Sequence, residues 1–202
     1  MPRFLHTADW QIGRRYAQFA PDDAAPIAEQ RIETVGRIAR LAAERGVDAV
    51  LVAGDVFDTQ TVGERLIRQL FKAMAAFEGP WVLIPGNHDA ALGESVWTQA
   101  AGLNDVVPGN VTLALTPGTV LLEACQTAVL TAPLTQRHTY NDTTAFFDQA
   151  ATPDGWLRVG LAHGSVEGVL AEDIDSANPI AADRCARARL DYLALGDWHG
   201  LK

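Results

Sequence analysis

The chain has 202 residues, 48% hydrophobic and 20% charged, which suits a globular protein of one domain. Its formal net charge of −9 argues against a broadly basic nucleic-acid surface, while leaving room for a local basic patch. No apolar run reaches the length of a membrane span, the opening residues lack the apolar stretch of a signal peptide, and Cys125 and Cys185 stand too far apart in sequence to suggest a disulfide framework, so a cytoplasmic protein is expected.

Phe4–Ala8 is a short strand-like run that delivers Asp9-Trp10-Gln11. In an extended chain residues i and i+2 point the same way, so Asp9 and Gln11 are expected to address one site while Trp10 packs behind. His6 is expected to be structural. Arg14 and Arg15 read equally well as solvated charges or as phosphate anchors, since guanidinium suits phosphate oxygens. Residues 26–45 carry a helical stripe of Ile27, Ile32, Val35, Ile38 and Leu41 or Ala42, with Pro26 in the first turn and Gly46 as the stop. Ala49–Ala53 is a second strand, closing on Gly54-Asp55-Val56-Phe57-Asp58. A second helix is expected over 62–77, with Val62, Leu66, Leu70, Phe71 and Met74 on one stripe. Trp81–Ile84 is a buried strand stopped by Pro85 and Gly86. Asn87, His88 and Asp89 stand at its carboxyl end, where open α/β sheets place their chemistry. Alternating strands and helices imply parallel, right-handed crossovers.

Ser95 is a candidate cap for a short helix running to about Leu103. Val111–Leu115, Thr119–Glu123 and Thr127–Thr131 are β-prone runs separated by turn residues, and an antiparallel meander is expected. The stretch 132–156 has less pattern, with a short helix expected over Thr143–Ala150 and His138 at the surface. Leu157–Ala162 reads as a strand ending on His163-Gly164. An acidic loop with Glu172, Asp173 and Asp175 follows, then a helix over Pro179–Leu190. The strand Tyr192–Leu195 closes on Gly196-Asp197-Trp198-His199, with Asp197 and His199 facing one way and Trp198 another.

Five apolar runs thus end on residues able to bind a metal. The candidates are Asp9, Gln11, Asp55, Asn87, His88, His163, Asp197 and His199. Any one alone reads as a polar residue of a turn or core. Together they point to a metal site, because four of the five histidines lie at or near strand carboxyl ends beside aspartates and an asparagine. Two divalent ions can share a bridging carboxylate and a bridging hydroxide that attacks phosphorus, and coordination lowers the pKa of water from about 16 to near 7. A histidine outside the coordination sphere can then assist the leaving oxygen.

These motifs resemble the calcineurin-like metallophosphoesterase superfamily, whose pattern is D-x-H, G-D-x-x-D, G-N-H-D, a strand-end histidine and G-H-x-H. The segments His6–Gly13, Ala53–Asp58 and His163–Gly168 are similar to its SbcD-like DNA-repair exonuclease branch. The resemblance implies a metallophosphoesterase-type α/β sandwich of mixed β-sheets flanked by α-helices. It also implies that Asp55 bridges two divalent ions, that Asp9 and His199 bind the first, and that Asn87 and His163 bind the second. His88 would stand beside the phosphate as acid or transition-state stabiliser, with Asp58 in support.

Gln11 stands where the pattern has histidine, and Asp197 replaces the first histidine of G-H-x-H. Both changes enrich the shell in oxygen, so Mn²⁺ is the expected metal, with Mg²⁺ or Fe as options and Zn²⁺ disfavoured. The expected function is metal-dependent phosphodiester hydrolysis, as a DNA exonuclease or endonuclease. The alternatives are hydrolysis of a small phosphoester or nucleotide, and a degraded site kept for binding or scaffolding. A homodimer and an SbcC-like ATPase partner are further expectations. Residues 1–202 are expected to form the catalytic domain of a longer protein, without the C-terminal strands and capping region of the resembled kind.

Overall fold

Two four-stranded sheets lie face to face in the computed structural model, which describes residues 1–168 and 178–198. The first sheet holds β1 (Phe4–Thr7), β2 (Ala49–Ala53), β3 (Trp81–Ile84) and β4 (Val111–Leu113), in that order and all parallel. The second sheet is built from β5 (Gly118–Leu122), β6 (Thr127–Ala132), β7 (Leu157–His163) and β10 (Tyr192–Gly196), in the order β10-β7-β6-β5. Here β5 and β6 are antiparallel and the other pairs parallel, which makes the sandwich mixed. A small pair, β8 (Ser165–Val166) and β9 (Pro179–Ile180), stands apart.

The alternation of side chains along each strand divides the core into layers. Val50 and Val52 of β2 face the helices α1 (Pro21–Arg45), α2 (Glu64–Met74) and α3 (Val96–Gly102), and pack with Val35, Ile67, Leu70 and Trp97. Ala49, Leu51 and Ala53 face the other way, onto Val129, Val159, Leu161 and Ala194 of the second sheet. The far face of that sheet packs Leu130, Ala132 and Ala162 against Phe147, Ile180 and Ala188. This is the α/β sandwich of mixed sheets flanked by helices that the resemblance implies. Among the described residues, no helix is long and apolar enough to cross a membrane.

Four local expectations are corrected. The first helix starts at Pro21 rather than Pro26, because Pro21 itself takes the first-turn position and Asp22 and Asp23 complement the positive helix end. Val111–Leu113 is no part of a meander: it pairs parallel with β3, Val111 opposite Trp81, while only β5 and β6 form the hairpin. A β-prone run declares itself locally, but the sheet it joins depends on where the chain travels next. Only Arg184–Arg187 is helical (α4) in the stretch expected as a helix over Pro179–Leu190, since Pro179–Ile180 pairs with Ser165–Val166 instead. The helix expected near Thr143–Ala150 is a single 3₁₀ turn, Ala145–Asp148, anchored by buried Phe147. Ser95 does cap α3, in a reciprocal capping box with Thr98. The acidic residues Glu172, Asp173 and Asp175, and the expected ligand His199, lie outside the described residues.

Candidate metal centre

The loop after β1 meets the carboxyl ends of β2, β3, β7 and β10 at one corner. Register brings the strand ends level: Ala53 pairs with Ile84, and Gly196 with His163. The β1 loop is zipped onto the β2 loop by backbone bonds from Asp9 N–H to the Gly54 carbonyl (3.1 Å) and from Gln11 N–H to the Asp55 carbonyl (2.8 Å). The extended geometry expected for Asp9 and Gln11 is not found. Asp9, Gln11 and Asp55 all take left-handed backbone (φ 56°, 45° and 52°), and Asp197 has φ 108°. Backbone held in such sparsely populated regions tends to cluster at functional sites.

Asp9, Asp55 and His163 each offer one ligand atom, and these atoms lie within 4.8 Å of one another. Asp55 and His163 are only 2% and 0% exposed. The His163 Nδ1 lies 2.8 Å from the Ala53 carbonyl oxygen, which can only accept, so Nδ1 carries the proton. Its Nε2 lone pair then faces the corner, 3.0 Å from Asn87 Oδ1, 3.6 Å from Asp55 Oδ1 and 3.7 Å from Asp197 Oδ1. A backbone carbonyl on one ring nitrogen and an open lone pair on the other is the usual arrangement of a metal-binding histidine. Asp197 is tied in through its N–H, which donates to Asp9 Oδ2 at 3.2 Å. The Ser165 hydroxyl donates to Asp197 Oδ2 at 2.8 Å, and the Trp198 indole N–H donates to the Ser165 oxygen at 2.8 Å.

The Asn87 amide supplies the test of whether a cation fits. Its oxygen faces acceptors only. Turned over, its NH₂ would donate to Asp55 Oδ1 and Oδ2 at 3.2 and 3.1 Å and to His163 Nε2 at 3.0 Å. Such a gathering of lone pairs calls either for those N–H groups or for a cation. Carboxylate, amide and imidazole donors together fit a divalent ion of the harder or borderline kind.

His88 stands beside this group, its side chain 41% exposed. Its backbone N–H donates to Asp55 Oδ1 (2.9 Å), its Nδ1 bonds the Asp58 carbonyl (2.9 Å), and its Nε2 lies 3.9 Å from Asp55 Oδ2. Asp58 thus meets the His88 ring through its main-chain carbonyl. Gln11 is buried, and its side-chain oxygen accepts from the Arg14 guanidinium, while Arg15 is exposed. Trp10 packs as expected, edge-on to Trp81 with its N–H on Thr7 Oγ1. His6 is engaged by the Tyr192 hydroxyl at 2.9 Å, and burial holds its pKa below the ordinary value.

Space at the corner is made by glycines, Gly54 and Gly86 among them. A Cβ on Gly54 (φ +87°) would fall 2.3 Å from His163 Nδ1, and one on Gly86 would fall 2.2 Å from Asp55 Oδ1. Three residues outside the sequence-derived set also build the site: Asp89, Ser165 and Trp198. Asp89 is fully buried and accepts the backbone N–H groups of Gly86 (2.7 Å) and Phe57 (3.0 Å). Burial pushes its carboxyl pKa up to about 7, against the opposing pull of those two N–H groups. Its place directly after Asn87 and His88 was the available signal. For Ser165 there was none, because its contact with Asp197 depends on the register of β7 with β10.

The D subunit of the nuclease SbcCD from Rhodobacter capsulatus is 42% identical over 96 residues, covering 44% of this chain and 22% of that protein. Its counterpart from Bacillus subtilis is 31% identical over 91 residues, covering 43% of this chain and again 22% of the relative. The chain therefore matches a minor part of the length of either relative. The crystal structure of TT1561 of Thermus thermophilus shares the fold, with a TM-score of 0.52 at 14% identity, over 84% of this chain and 72% of that one. The model of the calcineurin-like phosphoesterase family matches residues 2–201. With that match spanning nearly the whole chain, this protein belongs to the calcineurin-like phosphoesterase family.

Proposed function

We propose that the chain is a metal-dependent phosphodiester hydrolase acting on DNA, with Mn²⁺ as its preferred ion and an ATPase of the SbcC kind as a partner. The observation that carries the reading is the convergence of Asp9, Asp55, Asn87 and His163 on one point, with lone pairs facing one another. Similarity to the D subunit of the nuclease SbcCD supports DNA as the substrate. Asp55 is the central carboxylate, held by the His88 N–H on one oxygen. Asn87 and His163 would hold one ion, Asp9 and His199 the other, with Asp197 adding an oxygen and Gln11 at the margin. When bound, divalent ions supply Lewis acidity toward a phosphoryl oxygen and make a nucleophile of water near neutral pH.

The remaining work belongs to the chain. His88 keeps its Nδ1–H on the Asp58 carbonyl, so it is the doubly protonated ring that presents a second proton, on the exposed Nε2, to the leaving oxygen and returns to neutral imidazole on giving it up. The left-handed turns at Asp9 and Asp55 hold both carboxylates before any substrate arrives, which limits reorganisation during the reaction. Arg14 and Arg15, just beyond Gln11 in sequence, would hold phosphates flanking the scissile one.

Metal analysis joined to hydrolysis of bis(p-nitrophenyl) phosphate and of linear DNA tests the reading, with Asp55→Asn as control. Mn²⁺ should support turnover of both substrates, and Asp55→Asn should lose both metal and activity. Full activity of Asp55→Asn, or activity in EDTA, would overturn the metal mechanism. Turnover of the small ester without DNA cleavage would favour a small phosphoester as the natural substrate.

A further inference from the structure

The loop that leaves the metal corner at Gly13 opens onto a long groove of about 1570 Å³ between α1 and α2. Among the described residues its walls carry six cationic side chains, Arg14, Arg15, Arg37, Arg40, Arg65 and Lys72, against two acidic ones, Glu29 and Glu33. In a chain of net charge −9 that is a strong local reversal of sign. Glu33 pairs with Arg37 at 3.5 Å, so each offsets the other and the cationic excess on the walls is unchanged by the pair. Helical periodicity explains how the charges line up. Arg37 and Arg40 lie one turn apart on α1, Arg65 and Lys72 two turns apart on α2, and both stripes border the one groove.

Two aromatic rings stand among these cations at the end nearer the metal corner. Phe19 is 47% exposed, and Tyr16 lies beside it with ring centroids 6.4 Å apart. Arg31 stacks over the Tyr16 ring at 5.6 Å and also bonds its hydroxyl, which fixes the ring in place. An exposed phenylalanine on a basic wall is poorly suited to a duplex, whose bases are hidden. It is well suited to unpaired bases, which stack on aromatic rings while cations follow the backbone.

We propose that the α1–α2 groove is a track for single-stranded DNA, with the strand's phosphates on the Arg37, Arg40 and Arg65 side and a base on Phe19. The track rests on the DNA-directed reading above and deepens it, since Arg14 bonds Gln11 at the corner and reaches the groove as well. A strand lying there would be fed toward the metal site by Gly13–Arg15. The residues of α1 that border the groove, from Pro21 to Arg40, extend over about 30 Å at 1.5 Å per residue, enough for several nucleotides.

Binding of a fluorescent oligo(dT) to the full chain, measured by anisotropy in EDTA over a range of salt, tests the track without any metal or turnover. Arg37→Ala/Arg40→Ala/Arg65→Ala should weaken binding at least about tenfold and flatten the log–log salt slope by about 2, at roughly 0.7 for each phosphate no longer neutralised. Phe19→Ala should weaken binding at least about fivefold and leave the salt slope in place. Circular dichroism checks that both variants keep the fold. No binding by the wild-type chain, unchanged affinity in the triple variant, or equal affinity for a duplex would each overturn the track. Competition by poly-glutamate as effective as that by oligo(dT), with Phe19→Ala silent, would mark the groove as a site for an acidic protein and overturn it too. Hydrolysis of bis(p-nitrophenyl) phosphate with Mn²⁺ reports separately on the metal corner, so failure of the hydrolase reading and failure of the track are told apart.

Discussion

The Asp89 carboxylate and the Phe57 N–H, 32 residues apart in sequence, meet at 3.0 Å in a fully buried position. The other Asp89 oxygen holds Gly86, so one side chain fastens the loop carrying Asp55 to the turn carrying Asn87 and His88. Asp89→Ala should leave two buried N–H groups without acceptors, at about 1–3 kcal/mol each. Thermal melting should show a loss of several degrees, with metal affinity falling as well. Asp89→Asn keeps one acceptor and should cost less. A wild-type melting temperature in Asp89→Ala would show that the two loops are held by something else.

At Gly54 a single methyl group should strain both the backbone and the metal corner. Its φ of +87° disfavours any side chain, and the new Cβ would meet His163 Nδ1 at 2.3 Å. Gly54→Ala should therefore strain the turn by about 1–3 kcal/mol and push His163 off its Ala53 anchor. Metal-binding isotherms are the direct readout, and unchanged affinity would contradict the packing described.

The donor atoms predict metal choice. Among the described residues the corner offers oxygens from Asp9, Asp55, Asn87 and Asp197, and one imidazole nitrogen, from His163. Such a set should favour Mn²⁺ or Mg²⁺ over Zn²⁺ more than a histidine-rich site does. Competition titrations settle the matter: strong Zn²⁺ preference with Mn²⁺ inert would count against it.

Arg14 and Arg15 should separate long substrates from short ones. Arg14→Ala/Arg15→Ala is expected to slow DNA cleavage far more than hydrolysis of a small chromogenic diester, because only the strand has flanking phosphates to hold in register. Equal losses on both would point to general damage at the corner, given the Arg14 bond to Gln11.

An ion cluster around buried Arg184, on the far side, predicts acid sensitivity. Arg184 is 2% exposed and pairs with Asp142 (2.6 Å) and with Asp148, which also meets Arg187 at 2.7 Å. Burial acts to raise the pKa of Asp142, but hydrogen bonds from Thr144, Arg184 and the Ala181 N–H outweigh it and hold it below 3.8. The Arg184 hydrogen bond, opposed by slight burial and helped by the Arg184 and Arg187 charges, lowers Asp148 as well. Carboxylates with depressed folded-state values stabilise the fold above their unfolded value and lose that contribution as pH falls through the folded one. Melting curves should thus show an acid limb beginning near pH 3.8 and steepening below it. Arg184→Met should flatten that limb; an unaltered limb would mean that these two carboxylates do not set it.

How each part of the molecule could be read follows from how far its determinants lie apart along the chain. Short apolar runs closing on a polar residue of metal-binding type are local patterns, so β1, β2, β3, β7 and β10 and the candidate ligands after them were visible in the residues alone. The Ser95 cap and the Gly46 stop belong to the same class, being satisfied within one helical turn. Contacts across long separations were not visible. Val111–Leu113 joins the first sheet because its backbone meets Trp81, a choice that no property of three residues encodes. Asp9 and Gln11 adopt left-handed backbone because their N–H groups must reach the Gly54 and Asp55 carbonyls. Asp89, Ser165 and the basic groove gained their meaning only when loops and helices distant in sequence were packed together. Side-chain chemistry and local periodicity are written residue by residue, whereas the partner of each polar group is selected by burial, which exists only once the whole chain has folded.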